Sequence, residues 1–477
     1  MRSAKRRQAL LGSNLPRDSR ILRRIESVKP GSIGPGFTDF STIHCRPCLE
    51  NPGVWGRAPA QEVIHLSFSF SGGLVASGLS KKFGPVHAKG ESMIDVRSLG
   101  AVGDGRTNNT EVLQKAIDKA AETQLTLYVP EGVFLTGALH FHPRVGMVGS
   151  PAWSYGDSGG SVLRLSSEVA TCLIDITGAT GATLNGLCLD GGNLGTGIHG
   201  IMTDNPEYSP KESLRKHHHV DYNGAAIEGE SSIRIERCRI SNFSGDGIRL
   251  KRIWAFHIRN CMSINNAGNG VWVRGWDGFL LDNCLSLNGE AGYGAYEENA
   301  SITMTGNRIE WNRAGGIIIQ GGAHYNITGN YIDRSGGPGI WFRPRGSVNS
   351  TIVSAVGNII YRSGKPEWCP HDKYASAHAR FDNVHGLVFS GNSMNAGKDD
   401  KGLGQFSPQY GIVYAGLTNS IIKDNVMHFG VLKELLVNRG RNGDEVIVKD
   451  NVGSVFVPGQ TPEGEVNASF ADAEWKR

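Results

Sequence analysis

The feature that most constrains this chain is a repeat of about 23 residues. Between positions 224 and 345 it reads as successive coils: GAAIEGESSIRIERCRISNFS, GDGIRLKRIWAFHIRNCMSINNA, GNGVWVRGWDGFLLDNCLSLNGE, AGYGAYEENASITMTGNRIEWNRA, GGIIIQGGAHYNITGNYIDRSG and GPGIWFRPRG. Each has a Gly-led strand, a second alternating strand, an Asn, and a short third strand. The Asn recurs at 260, 283, 307 and 330, then at 358, 392, 425 and 451 with wider steps that mark loops between strands, and Arg237 replaces it in the first coil. One coil cannot bury its own apolar face, and stacking against neighbours makes a continuous core. The pattern therefore predicts an all-β, single-stranded parallel β-helix with rungs about 4.8 Å apart. A composition of 65 glycines but only 19 prolines fits many tight turns and excludes a collagen-like chain. The leucine-rich repeat pattern is missing. The recurring Asn is expected in a left-handed bend, with its amide bonded to the next coil. Cys238, Cys261 and Cys284 recur at equal steps and are expected to be buried, stacked and unbridged.

Segment 108–123 breaks the strand pattern. Val112, Leu113, Ala116, Ile117 and Ala120 share one helical face. A solenoid end exposes unpaired strand edges, so a helix over 111–122 is expected as the N-terminal cap of a β-helix spanning 135–455. Residues 1–90 carry basic runs and no repeat, which reads as a poorly structured extension, and 456–477 reads as a polar tail. Arg6-Arg7 faintly resembles a twin-arginine export signal, but Gly12-Ser13-Asn14 and Arg17 break the apolar segment it needs. Insertions stand at 203–222, 363–380 and 395–410, where long loops can wall a groove.

Several function classes are excluded as expectations. The net charge of +4 does not demand nucleic acid, and no apolar run is long enough for a membrane span. Cys45 and Cys48 form a CxxC without a second pair, and adjacent His217, His218 and His219 diverge in direction. Neither a metal nor a cofactor is expected.

The run MIDVRSLGAVGDGRTNNTEVLQKAIDKAAETQLTLYVPEGVFLTGALHF, with Gly100–Gly105, the helix and Tyr128-Val129-Pro130-Glu131-Gly132, resembles the opening of the pectate-lyase-like superfamily of right-handed β-helices, of the rhamnogalacturonase and tailspike type. With the coils behind it, the resemblance covers 93–455. It implies a right-handed β-helix, a secreted or periplasmic protein, and a polysaccharide partner. The superfamily contains lyases, hydrolases, epimerases and non-catalytic fibres, so the reaction does not follow from it. The sequence has Thr107-Asn108-Asn109-Thr110 where the family commonly has acids, so no ligand role is carried over to that run.

Strand alternation sharpens the functional reading. Counting from the Gly that opens each strand, positions one and three are mostly apolar and face inward, as in Ile248/Leu250 and Val271/Val273. Position two then gives outward Arg249, Trp272, Tyr296, Ile318 and Trp341. Position four gives Glu228, Lys251, Arg274, Glu298, Gln320 and Arg343. Aligning back from Asn392 adds Arg380 and Asp382. In one coil Glu297 falls at an inward position, against the rule. Aromatic faces suit sugar rings and cations suit the carboxylates or sulfates of an acidic glycan. Substrate binding is therefore expected at Trp272, Tyr296, Trp341, Arg249, Arg343, Glu228, Arg380 and Asp382.

For catalysis, β-elimination needs a base and cations near a uronate carboxylate, which Lys251 and Arg274 supply. Hydrolysis needs two carboxylates about 5–10 Å apart, with Asp246 and Glu298 as candidates. The absence of a carboxylate pair on neighbouring rungs of the column favours elimination. A non-catalytic glycan-binding or fibre-like protein is the alternative.

Overall fold

A computed structural model describes residues 93–156, 159–203, 219–220, 226–227, 230–396, 404 and 407–459. The N-terminal extension with its CxxC, the His217–His218 pair, Glu228, most of the 203–222 and 395–410 insertions, and the end of the polar tail lie outside these residues. His219 is described only as backbone, in a two-residue strand. No helix among the described residues is long and apolar enough to cross a membrane.

The chain is a right-handed parallel β-helix. Three strands per coil build three faces. The first face runs through Ile248–Lys251, Val271–Arg274, Ala291–Ala295, Gly315–Gln320, Ile340–Arg343, Ala377–Asp382 and Tyr410–Ala415, with residue-for-residue parallel pairing. The second includes His257–Arg259, Asn299–Thr305, Ala323–Thr328 and Ser350–Val356. The third is a sheet of 13 described strands, from Asp104–Asn108 to Val452–Val455. Inward residues stack like on like: Ile248, Val271, Tyr293, Ile317, Ile340, Ala379 and Ile412 form one buried row. Burying a side chain of this kind is worth ~1.5–3 kcal/mol, so the repeated apolar rows carry the solenoid.

Two expectations about the repeat are corrected in register. Asn283, Asn307, Asn330, Asn358, Asn392, Asn425 and Asn451 form a continuous ladder, each amide Nδ2 donating to the next Oδ1 at 2.8–3.0 Å. The left-handed bend falls on the residue before each: Asp282, Gly306, Gly329, Gly357, Gly391, Asp424 and Asp450. Asn260 and Arg237 occupy that bend position instead, and Cys238 and Cys261 occupy the ladder column. Cys284 is therefore one residue out of step. All three thiols are buried and unbridged. Cys284, however, faces outward on the third face, with the Tyr155 hydroxyl 2.9 Å from its sulfur. Equal spacing misled because the coil from Cys261 to Asn283 is 22 residues long. A second amide ladder links Asn266, Asn288 and Asn312 at 3.1 and 2.9 Å.

The helix spans Thr110–Thr123 and buries Leu113, Ala116, Ile117 and Ala120. It does not precede the solenoid. Met93–Asp95 already pairs with Thr126–Val129, so the β-helix begins earlier than residue 135 and the helix emerges from its first coil. The helix packs there against the strands Thr126–Val129 and Leu139–His140.

Candidate active site

Register decides what the first face presents. Arg249, Trp272, Gly294, Ile318, Trp341 and Arg380 pair in one outward row. The Gly that opens the 291–295 strand is thus Gly292, not Gly294. Tyr296 moves to the second outward column with Lys251, Arg274, Gln320 and Arg343. Glu297 and Glu298 then leave the strand altogether, which removes the anomaly of an inward glutamate. The correction is physical: with Gly292 as opener, Tyr293 turns inward, fully buried, and its hydroxyl meets that of Tyr325 at 3.2 Å.

Trp272 and Trp341 point outward, but guanidinium groups cover them. Arg249 lies 4.0 Å over the Trp272 ring, which is only 4% exposed. Arg343 and Arg380 lie 4.5 and 4.7 Å from the Trp341 ring, whose indole N–H donates to Asp382 Oδ2 at 3.0 Å. These aromatics are platforms for cations before they are platforms for sugars. Arg274 is bound to Glu298 (2.7 Å) and Glu297 (3.4 Å), and Arg345 also meets Glu298 (3.2 Å). Its own backbone amide, with Arg274 and Arg345, holds the Glu298 carboxyl below the usual range. Arg380 is bound by Asp372 and Asp382, and Arg439 by Asp382 at 3.3 Å. Asp372 comes from the 363–376 part of the third-face-to-first-face insertion, which carries two short 3-10 turns; the remainder of the expected 363–380 insertion is itself the strand Ala377–Asp382. The Lys251 backbone N–H and C=O both meet the Thr203 hydroxyl, at 2.6 and 2.7 Å.

The N-terminal edge of the same face holds a hydrogen-bonded chain. Asp246 precedes its strand in a Gly-Asp-Gly turn. Its Oδ1 accepts from the backbone N–H and side-chain amide of Asn269, one coil on, at 2.7 and 2.8 Å. Its Oδ2 accepts from Arg249 at 2.7 Å. The His199 ring Nδ1 accepts the Asp246 backbone N–H at 2.8 Å, and burial lowers this imidazole, so it sits neutral against the carboxylate. The Tyr296 hydroxyl donates to Asn269 Oδ1 at 2.9 Å. It reaches back over Gly294, where a Cβ would meet Asn269 Oδ1 at 2.6 Å and the Tyr296 hydroxyl at 2.7 Å. Burial, then the charges of Glu290 and Asp246, push the Tyr296 phenol upward. Glu290 stands in the turn before its coil, two rungs from Gly245, through Gly268. Burial first, then the Asp246 charge, raise its carboxyl, with Arg313 opposing.

The outcome for the sequence candidates is mixed. Asp246, Arg249, Trp272 and Tyr296 come together in one cluster. Trp341, Arg343, Arg380 and Asp382 form a second, further along the same face. Arg274 and Glu298 neutralise each other. His199, Asn269 and Glu290 were missed. The signal for the last two was the run that leads into each opening glycine, GDG at 245, GNG at 268 and EAG at 290.

A competing carboxylate pair lies on the third face. Glu310 and Asp333 sit on adjacent rungs, and burial pushes Asp333 up to about 7. Each is bound by an arginine of its own face, Glu310 by Arg308 and Asp333 by Arg334, and among the described residues no aromatic of the first face stands beside them.

A family model described as a right-handed beta helix region matches residues 156–300 and 254–427, and one described as rhamnogalacturonase A/epimerase, pectate lyase-like, matches 93–156. Among solved structures, the A-module of a mannuronan C-5 epimerase from Azotobacter vinelandii is similar at 15% identity and a TM-score of 0.53, covering 76% of this chain and 100% of that one. A DFA-IIIase from Arthrobacter chlorophenolicus A6 is similar at 13% identity and a TM-score of 0.51, covering 77% and 99%. The tailspike protein 2 of an Escherichia coli O157:H7 bacteriophage gives 14% and 0.53, over 70% of this chain and 43% of the tailspike. At these identities the likeness is one of fold.

Proposed function

Because this chain belongs to the right-handed β-helix proteins with a pectate-lyase-like opening, we propose that its first face holds a polysaccharide and hydrolyses it at the Asp246–Glu290 pair. The observation that carries this reading is the opposed environment of the two carboxyls. Asp246 accepts three hydrogen bonds, one from a guanidinium. Glu290 is raised by burial and by that same charge, the condition of a general acid.

In this mechanism Glu290 protonates the leaving glycosidic oxygen. Asp246 takes a proton from the water that attacks the opposite face of the sugar. Two rungs separate them, about 10 Å by strand spacing, which is near the upper end of the span for inverting hydrolysis. Tyr296 donates to Asn269 and thereby fixes the amide that donates to Asp246. Trp272, held under Arg249, walls the site. The names of the solved neighbours, an epimerase, a DFA-IIIase and tailspikes, are consistent with a carbohydrate partner.

Elimination through Lys251 and Arg274 draws less support, because the Arg274 charge is already met by Glu298. A purely binding role draws less support too, since both tryptophan faces are partly covered. The test is a polysaccharide panel followed for new reducing ends and for unsaturated products. Asp246→Asn and Glu290→Gln should each lower reducing-end release by about 10²-fold or more, with inverted product and no unsaturated sugar. Unsaturated product that survives both substitutions would replace hydrolysis with elimination.

A further inference from the structure

The arginines of the first face differ in one respect: which of them already has a carboxylate. Arg249 has Asp246, Arg274 has Glu298 and Glu297, Arg345 has Glu298, Arg380 has Asp372 and Asp382, and Arg439 has Asp382. Arg343 has none within 4 Å among the described residues. Its guanidinium is half-buried and held rigidly. With the Gln320 side-chain amide turned so that its oxygen faces these donors, that oxygen, one rung before Arg343, accepts from a terminal nitrogen at 2.6 Å and from Nε at 3.1 Å. The Trp341 ring lies 4.5 Å beneath. Burial lowers its affinity for the proton, and the nearby Arg380 charge adds to that, with Tyr296 and the more distant Asp382 carboxylate opposing. A charge taken partly out of water without a carboxylate in contact is costly. This one is also preorganised, since Gln320 and Trp341 fix the planar fork while leaving donors over.

We propose that Arg343 is the specificity-determining receptor for a carboxylate or sulfate group of an acidic polysaccharide. The proposal rests on the first face being the substrate site. The outward column runs Tyr296, Gln320, Arg343, so the Arg343 backbone stands two rungs beyond that of Tyr296, about 10 Å by strand spacing. The acidic group bound at Arg343 is therefore on a sugar neighbouring the cleaved bond, not on the reacting ring. Arg380 cannot substitute for it without losing Asp372 or Asp382.

The experiment uses the full chain and paired probes: hexamers of oligogalacturonate, of oligomannuronate and of hyaluronan, each against the same hexamer with its carboxyls reduced to alcohols. Binding is read by calorimetry and by tryptophan fluorescence at constant ionic strength. At least one acidic hexamer should bind about tenfold or more tightly than its reduced counterpart, the scale of a bidentate charge-assisted contact. Arg343→Met, which keeps the stacking chain, should bring that ratio within about twofold and leave the affinity for the reduced hexamer unchanged. Arg274→Met should preserve the ratio. Gln320→Ala, which frees the fork, should lower it part-way, and it serves as the second variant if Arg343→Met is poorly folded. The idea is overturned if no acidic hexamer is preferred, or if the preference survives in Arg343→Met and Gln320→Ala. Cleavage of a neutral polysaccharide that depends on Asp246 and Glu290 would sink this proposal and leave the proposed hydrolysis standing. Acid-selective binding without cleavage would do the reverse.

Discussion

At the scale of residues, Gly294 shows how a missing side chain builds a site. It occupies an outward position that its neighbours along the row fill with Trp272 and Ile318, and the opening it leaves lets the Tyr296 hydroxyl reach Asn269. A methyl group there would lie 2.6 Å from the Asn269 oxygen. Gly294→Ala should therefore break this hydrogen bond, and polysaccharide cleavage should fall about tenfold or more, while the urea midpoint moves far less than for a core substitution. Unchanged turnover in Gly294→Ala would remove Tyr296 and Asn269 from the mechanism. Glu298 supplies the contrast, because it answers to two arginines and to no group of the Asp246 cluster.

At the scale of elements, the stacked strands are held by ladders that leave few buried polar atoms without partners. Each Asn of the long ladder donates its amide to the next Asn and to a carbonyl of the preceding coil, as Asn330 does to Asn358 and Met304. A column that satisfies itself repeatedly tolerates burial where a lone amide would cost ~1–3 kcal/mol. His378 is a point of tension in this packing. It is wholly buried on the Ala377–Asp382 strand, its Nε2–H donates to the Gly430 carbonyl at 2.8 Å, and burial lowers it to about 4. A histidine whose folded value lies below its unfolded one near 6.5 binds its proton more readily when the chain unfolds. Its contribution to stability is therefore complete above about pH 6.5 and is lost as pH falls towards 4, by up to roughly 3 kcal/mol. His378→Gln retains a donor for Gly430 and has no proton to gain. Denaturant titrations should show wild type losing stability relative to this variant between pH 6.5 and 4, and parallel curves would count against the assignment.

At the scale of the whole molecule, a solenoid is stabilised by nearest neighbours, so damage should stay close to where it is made. The Thr110–Thr123 helix covers the first coils through Leu113 and Ile117, both fully buried. Leu113→Ala should cost about 2–5 kcal/mol. Hydrogen exchange should quicken first in Thr126–Val129 and Leu139–His140, and the Tyr410–Ala415 strand should be spared. Uniform acceleration along the chain would mean that the β-helix unfolds as a single cooperative unit.

The sequence by itself determined the solenoid, because a repeated Gly-led strand, a repeated Asn and alternating apolar residues are all local patterns. It also placed Arg249, Trp272, Trp341 and Arg343 on one outward face and named Asp246 as a catalytic candidate. It misassigned Tyr296 by two positions and Cys284 by one, since coils of 22 to 24 residues can be aligned on either neighbouring glycine. Only inward packing, with Tyr293 against Tyr325, selects the register. Charge pairing was likewise decided in three dimensions. Residues far apart in the chain, such as Arg345 and Glu298 or Arg380 and Asp372, neutralise one another when coils and the 363–376 insertion are folded together. What the face can still offer a ligand is the charge that remains after those pairings, and the linear order, which named Arg343 beside seven other binding candidates, could not single it out.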